Sequence, residues 1–248
     1  MVIPSFYQFL IGFGEKYQSK YFFLTDDGQT VPTDIPAYSL SFHKASGTLY
    51  GIYEKDGRNV IGKAGKDFSK TDFSPIFGLS GHTLLYTAVS PDNQKIAFLA
   101  TEKETGKTQI RVIAREEFGW FPLPAVRFDA SPTRLCFCSD GILMYTSSGG
   151  ELKAVRLTKP VRTVDISPNG YSPVFDRVRE KAAFIKDNFI FYNMLNTEIK
   201  ADFLFSFSRE GKEILFSEAE KFCCYNVDTK QIRVLFRAPE PVTFATEL

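Results

Sequence analysis

The sequence is poor in the residues that metal and redox sites use. It contains four cysteines, two histidines and one tryptophan in 248 residues. The cysteines form a C-x-C pair, Cys136 and Cys138, and a C-C pair, Cys223 and Cys224. Neither spacing is that of a zinc site or of a C-x-x-C redox motif. We therefore expect four buried thiols in a reducing compartment and no bound metal or cofactor.

The sequence also lacks an excess of charge of either sign. It has 30 basic and 29 acidic residues, a net charge of +1, whereas binding to nucleic acid or to an anionic membrane needs a clustered basic excess. The apolar start, residues 1–14, follows no basic residue, is interrupted by Gln8 and is too short to span a bilayer. These absences predict a cytoplasmic protein whose partner is neither a nucleic acid nor a membrane.

What the sequence does contain favours β-structure. It has 25 phenylalanines and 11 tyrosines, with 13 prolines and 17 glycines between them, and such a composition is typical of short strands joined by turns. The length fits one all-β unit. We therefore predict a single domain over residues 1–248.

One phrase recurs along the chain. In "AVSPDNQKIAFLA" (88–100), an apolar residue, Val89, is followed by six turn residues and a second apolar residue. Four other segments repeat this layout, and the second apolar residues of the five copies are Leu49, Ile96, Leu135, Pro173 and Ile214. Their average interval of about 41 residues is typical of four-stranded propeller blades. An alternative alignment of the fourth copy, pairing Phe175 with Ala182, makes the intervals less even and is rejected.

The segments outside the five copies complete a sixth blade. Its innermost strand is predicted at 242–246, and its other three strands at "FYQFLIGF", "KYFFLTDD" and "QTVPTDI" near the start of the chain. Pairing strands from both ends of the chain in one blade removes an open sheet edge. The predicted fold is all-β, a six-bladed β-propeller of four-stranded blades closed by its terminal strands, with five blades as the alternative.

The turn sequences resemble those of a known repeat. "SPDNQKIAF" (90–98) and "SPNG" (167–170) are similar to the turns of WD40-like propeller repeats of the TolB type. The blades depart from true WD40 repeats, because they lack the Gly-His start and the Trp-Asp end, and the one tryptophan is Trp120. The resemblance covers the repeat and implies a propeller fold, not a particular function.

Catalytic patterns are weak in this sequence. Ser80 lies near His82 in "GLSGH", but this is not the G-x-S-x-G nucleophile elbow. "TDDGQT" (25–30) begins like a calcium loop without its later acidic ligand, so we interpret it as a β-turn. We therefore predict that the protein is not an enzyme. One alternative is an enzyme that processes a carbohydrate or a peptide with carboxylates in the central channel. Another alternative is a scaffold subunit of a larger complex.

The predicted interaction surface is formed by loops. In a propeller, the loops from second to third strand and from fourth strand to the next blade share one face; here these include "TEKETGK" (101–107), "DRVRE" (176–180) and "EEFGWFPLP" (116–124). Aromatic residues rimmed by charge are typical of binding hot spots, although the rings could instead fill space between blades. The predicted partner-binding residues are Glu102, Glu104, Glu116, Glu117, Phe118, Trp120, Arg177 and Arg179.

These observations predict a propeller that works by binding another protein and stays monomeric until that partner binds. In its most specific form, the prediction is a cytosolic inhibitor or immunity protein that covers the active site of a bacterial toxin enzyme such as a nuclease. The acidic loop residues would then face a basic cleft.

Overall fold

The computed structural model describes residues 7–14, 20–25, 27–65, 73–124, 126–208 and 210–247. Within these ranges every regular element is a β-strand. Among the same residues, no helix has the length and apolarity needed to cross a membrane.

The first half of the chain forms twelve strands, which are β1 (Tyr7–Phe13), β2 (Lys20–Thr25), β3 (Thr30–Pro32), β4 (Tyr38–His43), β5 (Thr48–Lys55), β6 (Arg58–Ala64), β7 (Ser74–Gly78), β8 (His82–Val89), β9 (Lys95–Glu102), β10 (Thr108–Glu116), β11 (Gly119–Pro122) and β12 (Phe128–Asp129). Blade 1 is β4–β7, and blade 2 is β8–β11 with β12 added on the outer edge of β10.

The second half of the chain continues with β13 (Cys136–Ser139), β14 (Ile142–Thr146), β15 (Leu152–Arg156), β16 (Arg162–Ser167), β17 (Gly170–Asp176), β18 (Lys181–Lys186), β19 (Phe189–Tyr192), β20 (Leu195–Lys200), β21 (Phe203–Phe207), β22 (Glu213–Glu218), β23 (Lys221–Asn226), β24 (Ile232–Arg237) and β25 (Val242–Glu247). Blades 3, 4 and 5 are β13–β16, β17–β20 and β21–β24, and blade 6 has the order β25-β1-β2-β3.

The terminal blade confirms the predicted closure. β25 pairs antiparallel with β1, with Leu10 opposite Thr246 and Ile11 opposite Ala245, and β1 pairs on its other side with β2. The innermost strand of this blade therefore comes from the end of the chain and the other three from its beginning. The prediction of an all-β, six-bladed propeller closed in this way is confirmed.

The chain divides into two compact units. The first consists of Met1–Tyr38, Lys66–Thr71 and Val174–Leu248, and the second consists of Ser39–Gly65 and Asp72–Pro173. The second of these contains blades 1 to 3, and the first contains blades 5 and 6 and most of blade 4. The sequence patterns predict one domain over residues 1–248, and that assignment stays a prediction.

Within each compact unit, an apolar cluster lies between neighbouring blades. Between blades 2 and 3, one core cluster includes Leu99, Ile110, Val112, Phe137, Leu143 and Val155. Between blades 5 and 6, another includes Ile11, Leu24, Leu215, Phe222, Cys224 and Ala245. By contrast, four of the six residues of the outer strand β16 are exposed. The apolar area buried between sheets is the main favourable term in the stability of this fold.

Side-chain hydrogen bonds tie β4 to β8, the first strands of blades 1 and 2. Thr87 N donates to Ser39 Oγ at 3.1 Å, and Thr87 Oγ1 donates to Ser39 O at 2.6 Å. Buried His43 reaches further along, with Nε2 2.8 Å from Pro91 O. Because a carbonyl only accepts, Nε2 carries the proton, and Nδ1 accepts from Ser46 N at 3.2 Å. This histidine therefore connects two blades.

The predicted strand order in blades 3 and 4 is wrong by one strand. Phe128–Asp129, predicted to open the third blade, is β12 and pairs with β10 of blade 2. The segment 162–167, predicted to open the fourth blade, is β16, the outermost strand of blade 3. The rejected alignment of Phe175 with Ala182 is the observed one, since β17 and β18 flank the turn 177–180. "SPNG" misled the alignment because it resembles the turn "SPDN", yet it connects two blades.

Two further predictions concern the cysteines and the segment "TDDGQT". None of the four cysteines is in a disulfide; Cys223 and Cys224 are buried, whereas Cys136 and Cys138 are half-buried. "TDDGQT" is a turn between β2 and β3, as predicted: Gly28 N donates to Thr25 O at 3.0 Å.

Candidate protein-interaction surfaces

The strand β10 separates the predicted acidic residues into two groups. Glu102 ends β9 and Glu104 lies in the turn that leads into β10, whereas Glu116 is the last residue of β10 and Glu117 lies in the turn to β11. β10 is nine residues long, so at roughly 3.3 Å per residue its ends are about 26 Å apart. The prediction that these four carboxylates share one surface is wrong, because turns from second to third strand and from third to fourth strand lie at opposite ends of a blade.

The turn between β9 and β10 is closed by its own hydrogen bonds. Glu102 Oε2 accepts from Thr105 Oγ1 at 2.6 Å, and Gly106 N donates to Glu102 O at 2.9 Å. Lys103 N donates to Gly81 O at 2.9 Å, which attaches the turn to the start of β8. Glu104 is exposed at the tip. This end of blade 2 is polar, and no large apolar side chain is exposed among its described turn residues.

The turn between β10 and β11 is different, because it exposes an aromatic ring. Glu116 pairs with Gly119, so Glu117 and Phe118 form a two-residue tip. Phe118 is 87% exposed, and both glutamates beside it are exposed. Gly119 has a φ of +145°, a backbone conformation that other residues rarely adopt, and it turns the chain directly behind the ring. The segment 116–124 is thus a hairpin of blade 2, not the predicted connection between blades.

The base of this hairpin is held against blade 1. Trp120 is half-buried and lies edge-on to Tyr50 of β5, with ring centroids 6.3 Å apart and planes at 74°. Tyr50 OH donates to Asn93 Oδ1 at 2.7 Å, and burial raises the pKa of this phenol, with the bond to Asn93 opposing the rise. Trp120 therefore fills space between blades, which is the alternative that the sequence analysis gave for the aromatic residues. Phe118 does not, because it projects into solvent.

The two predicted arginines lie in the turn between β17 and β18, in the other compact unit. Arg177 is exposed. Arg179 binds Asp228 with two hydrogen bonds, Nη1 to Oδ1 at 2.9 Å and Nη2 to Oδ2 at 2.6 Å, which raise the pKa of Arg179 and lower that of Asp228. Buried Asp176 shapes the turn, since its Oδ1 accepts from the amides of Val178 and Arg179. Arg179 thus has a structural partner within its own unit.

The exposed apolar residues at turns follow a rule that the sequence analysis missed. Within each unit, these residues lie at one end of the blades, at the turns from first to second strand and from third to fourth strand. They are Phe118, Val178, Met194, Leu195 and Ile232. In the described turns from second to third strand, no large apolar residue is exposed. Val178 stands between the two arginines in "DRVRE" and would have been found if that turn had been placed between the first two strands.

The catalytic candidates are not assembled into a site. His82 Nδ1 is 2.8 Å from the backbone oxygen of Ser80, a contact that does not involve the serine hydroxyl. Among the residues that the structure describes, no group of three or more His, Cys, Asp or Glu side chains lies close enough to hold a metal ion.

Comparison with known proteins gives the fold of the chain and does not assign a function to it. No protein-family profile and no curated protein sequence matches the chain. Among solved structures, TolB from Acinetobacter baumannii matches with a TM-score of 0.67 at 13% identity, over 97% of this chain and 66% of that one. The chain has the fold of a TolB-type, WD40-like propeller. A chain of a nidogen/laminin complex matches with a TM-score of 0.66 at 11% identity, over 96% of this chain and 98% of that one.

Peptidases are also among the similar structures. Prolyl oligopeptidase B from Galerina marginata matches with a TM-score of 0.59 at 9% identity, and this chain covers 42% of its length. A propeller fold therefore accompanies both peptidases and other proteins. The prediction that this protein is not an enzyme stays a prediction.

Proposed function

We propose that the protein binds another protein through the tip of the β10–β11 hairpin. The observation that carries the proposal is Phe118, an aromatic side chain 87% exposed on a hairpin whose base is fixed by Trp120. Aromatic rings exposed to this degree are unfavourable in water and are enriched in the centres of protein interfaces. A fixed base lowers the entropy that binding would cost.

The residues beside the ring define the chemistry of the partner. Glu116 and Glu117 are exposed and directly precede the ring in the chain, and they favour a partner with an apolar pocket and basic residues around it. In its most specific form, the proposal is a cytosolic inhibitor of a bacterial toxin enzyme, such as a nuclease with a basic cleft. Glu102 and Glu104 take no part in that contact, because they lie at the opposite end of β10.

The energy available from the ring sets the size of the expected effect. Burying a phenylalanine that is nearly fully exposed contributes about 2 kcal/mol, which corresponds to roughly 30-fold in the dissociation constant. The two glutamates act mainly on the association rate, and their effect falls as salt increases.

The test begins with a photo-crosslinking amino acid in place of Phe118 in cells. The matched control carries it in place of Val164, which is 64% exposed on the outer strand of blade 3. We expect an adduct with one protein from position 118 and not from 164. The purified partner should then bind Phe118→Ala about 30-fold more weakly and Val164→Ala with unchanged affinity. Equal affinities of the two variants would rule out the hairpin as the binding site.

If the partner is a nuclease, one equivalent of this protein should abolish its activity. The double variant Glu116→Lys, Glu117→Lys should slow association and remove most of its dependence on salt. A partner without enzymatic activity would keep the binding proposal and reject the inhibitor.

A further inference from the structure

The outer edge of β10 changes partner partway along the strand. From Ile113 onward it pairs with β11, and up to Ile110 it pairs with β12. Arg111 and Val112 lie between these two stretches. Arg111 is therefore at a break in the outer edge of blade 2.

The register places a second arginine near the first. Ile110 pairs with Phe128, the first residue of β12, so Arg111 and Arg127 are the residues that come directly after the last pair of this ladder. Like charges at neighbouring positions of paired strands are destabilising. Two arginines are thus neighbours at this break in the outer edge of blade 2, and the charge of one acts on the other.

The carboxylates of this neighbourhood are engaged elsewhere. Asp129 Oδ1 accepts from Gln109 Nε2 at 3.0 Å, and Oδ2 lies 3.1 Å from Lys107 Nζ. Glu102 Oε2 accepts from Thr105 Oγ1 at 2.6 Å. Among the described residues, neither Arg111 nor Arg127 has a hydrogen bond or an ion pair with any of these groups.

Burial makes the unpaired state of Arg111 costly. Its side chain is half-buried, and its Nε is buried without a hydrogen-bond partner among the described residues. Burial lowers the pKa of this guanidinium, the charge of Arg127 lowers it further, and Glu102 opposes both effects. A buried cation is stable only with a partner.

We propose that Arg111 and Arg127 together bind an oxyanion, either a phosphate or a carboxylate group. Planar guanidinium groups bind both with paired, charge-assisted hydrogen bonds, and one anion between the two arginines replaces their repulsion with attraction. The site does not rest on the proposed function of the hairpin, since it lies about 20 Å from the tip along β10 and is tested with small ions.

The chain offers a matched control. Arg156 and Arg162 face each other in register, on β15 and β16, but both are exposed. Water screens this second pair, so it has the same charge without the burial of Arg111; Arg127 is exposed like both arginines of the control.

The experiment is a titration of wild type, Arg111→Gln, Arg127→Gln and Arg156→Gln by isothermal calorimetry. Inorganic phosphate and acetate are the two probes, at constant ionic strength with chloride as the reference. We expect saturable binding of one or both probes to wild type, at least tenfold weaker binding to the Arg111 and Arg127 variants, and unchanged binding to Arg156→Gln. The probe that binds more tightly identifies the source of the oxyanion. No saturable binding to wild type, or an equal loss in Arg156→Gln, would overturn the proposal.

A second measurement needs no ligand. In chloride at low ionic strength, Arg127→Gln should raise the thermal midpoint, because it removes the repulsion of Arg111, and Arg156→Gln should change it less. Saturating oxyanion should reverse the order and leave wild type more stable than Arg127→Gln. A lower midpoint for Arg127→Gln in chloride would mean that Arg127 already has a favourable partner, and the site would then be rejected.

Discussion

Substitution of Gly12 by alanine should strain the blade that joins the two ends of the chain. Gly12 is in β1, opposite Tyr21 of β2 and Phe244 of β25. A Cβ at this position would lie 2.7 Å from Tyr21 Cε1 and 3.3 Å from Phe244 Cβ. Tyr21 is 3% exposed and lies edge-on to Phe244, with ring centroids 5.9 Å apart. The tyrosine ring must therefore move within a packed interior.

The expected cost follows from that displacement. Forcing an extra methyl group into a packed core costs about 1–3 kcal/mol, and alanine recovers roughly half a kcal/mol by restricting the unfolded chain. At roughly 2–4 °C per kcal/mol for a chain of this size, Gly12→Ala should lower the thermal midpoint by about 1–10 °C. Amide hydrogen exchange should accelerate most in β1 and β25.

The control is Gly65→Ala, because a Cβ at Gly65 meets no atom within 4 Å. Its thermal midpoint should equal or slightly exceed that of wild type. A second substitution, Tyr21→Leu, should cost less in the Gly12→Ala background than in wild type, since the added methyl group occupies part of the space that the ring leaves. If Gly12→Ala unfolds at the temperature of Gly65→Ala, the packing argument for this blade is wrong.

Two further predictions concern contacts between blades. His43→Phe removes the hydrogen bond to Pro91 O and should cost about 1–3 kcal/mol, measured by urea unfolding, whereas His82→Phe, at a half-exposed site, should cost little. Arg179 holds the pKa of Asp228 below its usual value, so this pair stabilises the fold above about pH 4 and loses its effect as the pH falls through the folded pKa. The difference in unfolding free energy between wild type and Arg179→Gln should shrink in acid; a constant difference would refute the linkage.

The fold could be predicted because the repeat determines it. The seven-residue step pairs Val89 with Ile96 in blade 2 and Phe207 with Ile214 in blade 5, and β4 and β5 flank the predicted turn of blade 1. The terminal segments were assigned to blade 6 from what remained. Blades 3 and 4 were misplaced because "TVDIS" alternates like any strand, whether first or last in its blade. Only packing distinguishes the two, since the exposed residues of β16 show that it is an outer strand.

The candidate site was only partly predictable for the same reason. Composition was enough to single out Phe118, because an aromatic cluster beside two glutamates is unusual in a turn. The end of the blade on which it lies depends on the strand count, and one misplaced strand moves a turn to the opposite end. The proximity of Arg111 and Arg127 could not be predicted at all, since it requires the pairing of β10 with β12.

The length of β10 has a practical consequence for measuring recognition. A partner seated on Phe118 binds at the other end of β10 from Glu104, and that strand alone is about 26 Å long at roughly 3.3 Å per residue. A fluorescent dye attached through Glu104→Cys would therefore report complex formation by energy transfer or by slower tumbling without touching the contact itself. The polar end of blade 2 is thus the natural attachment point for a reporter.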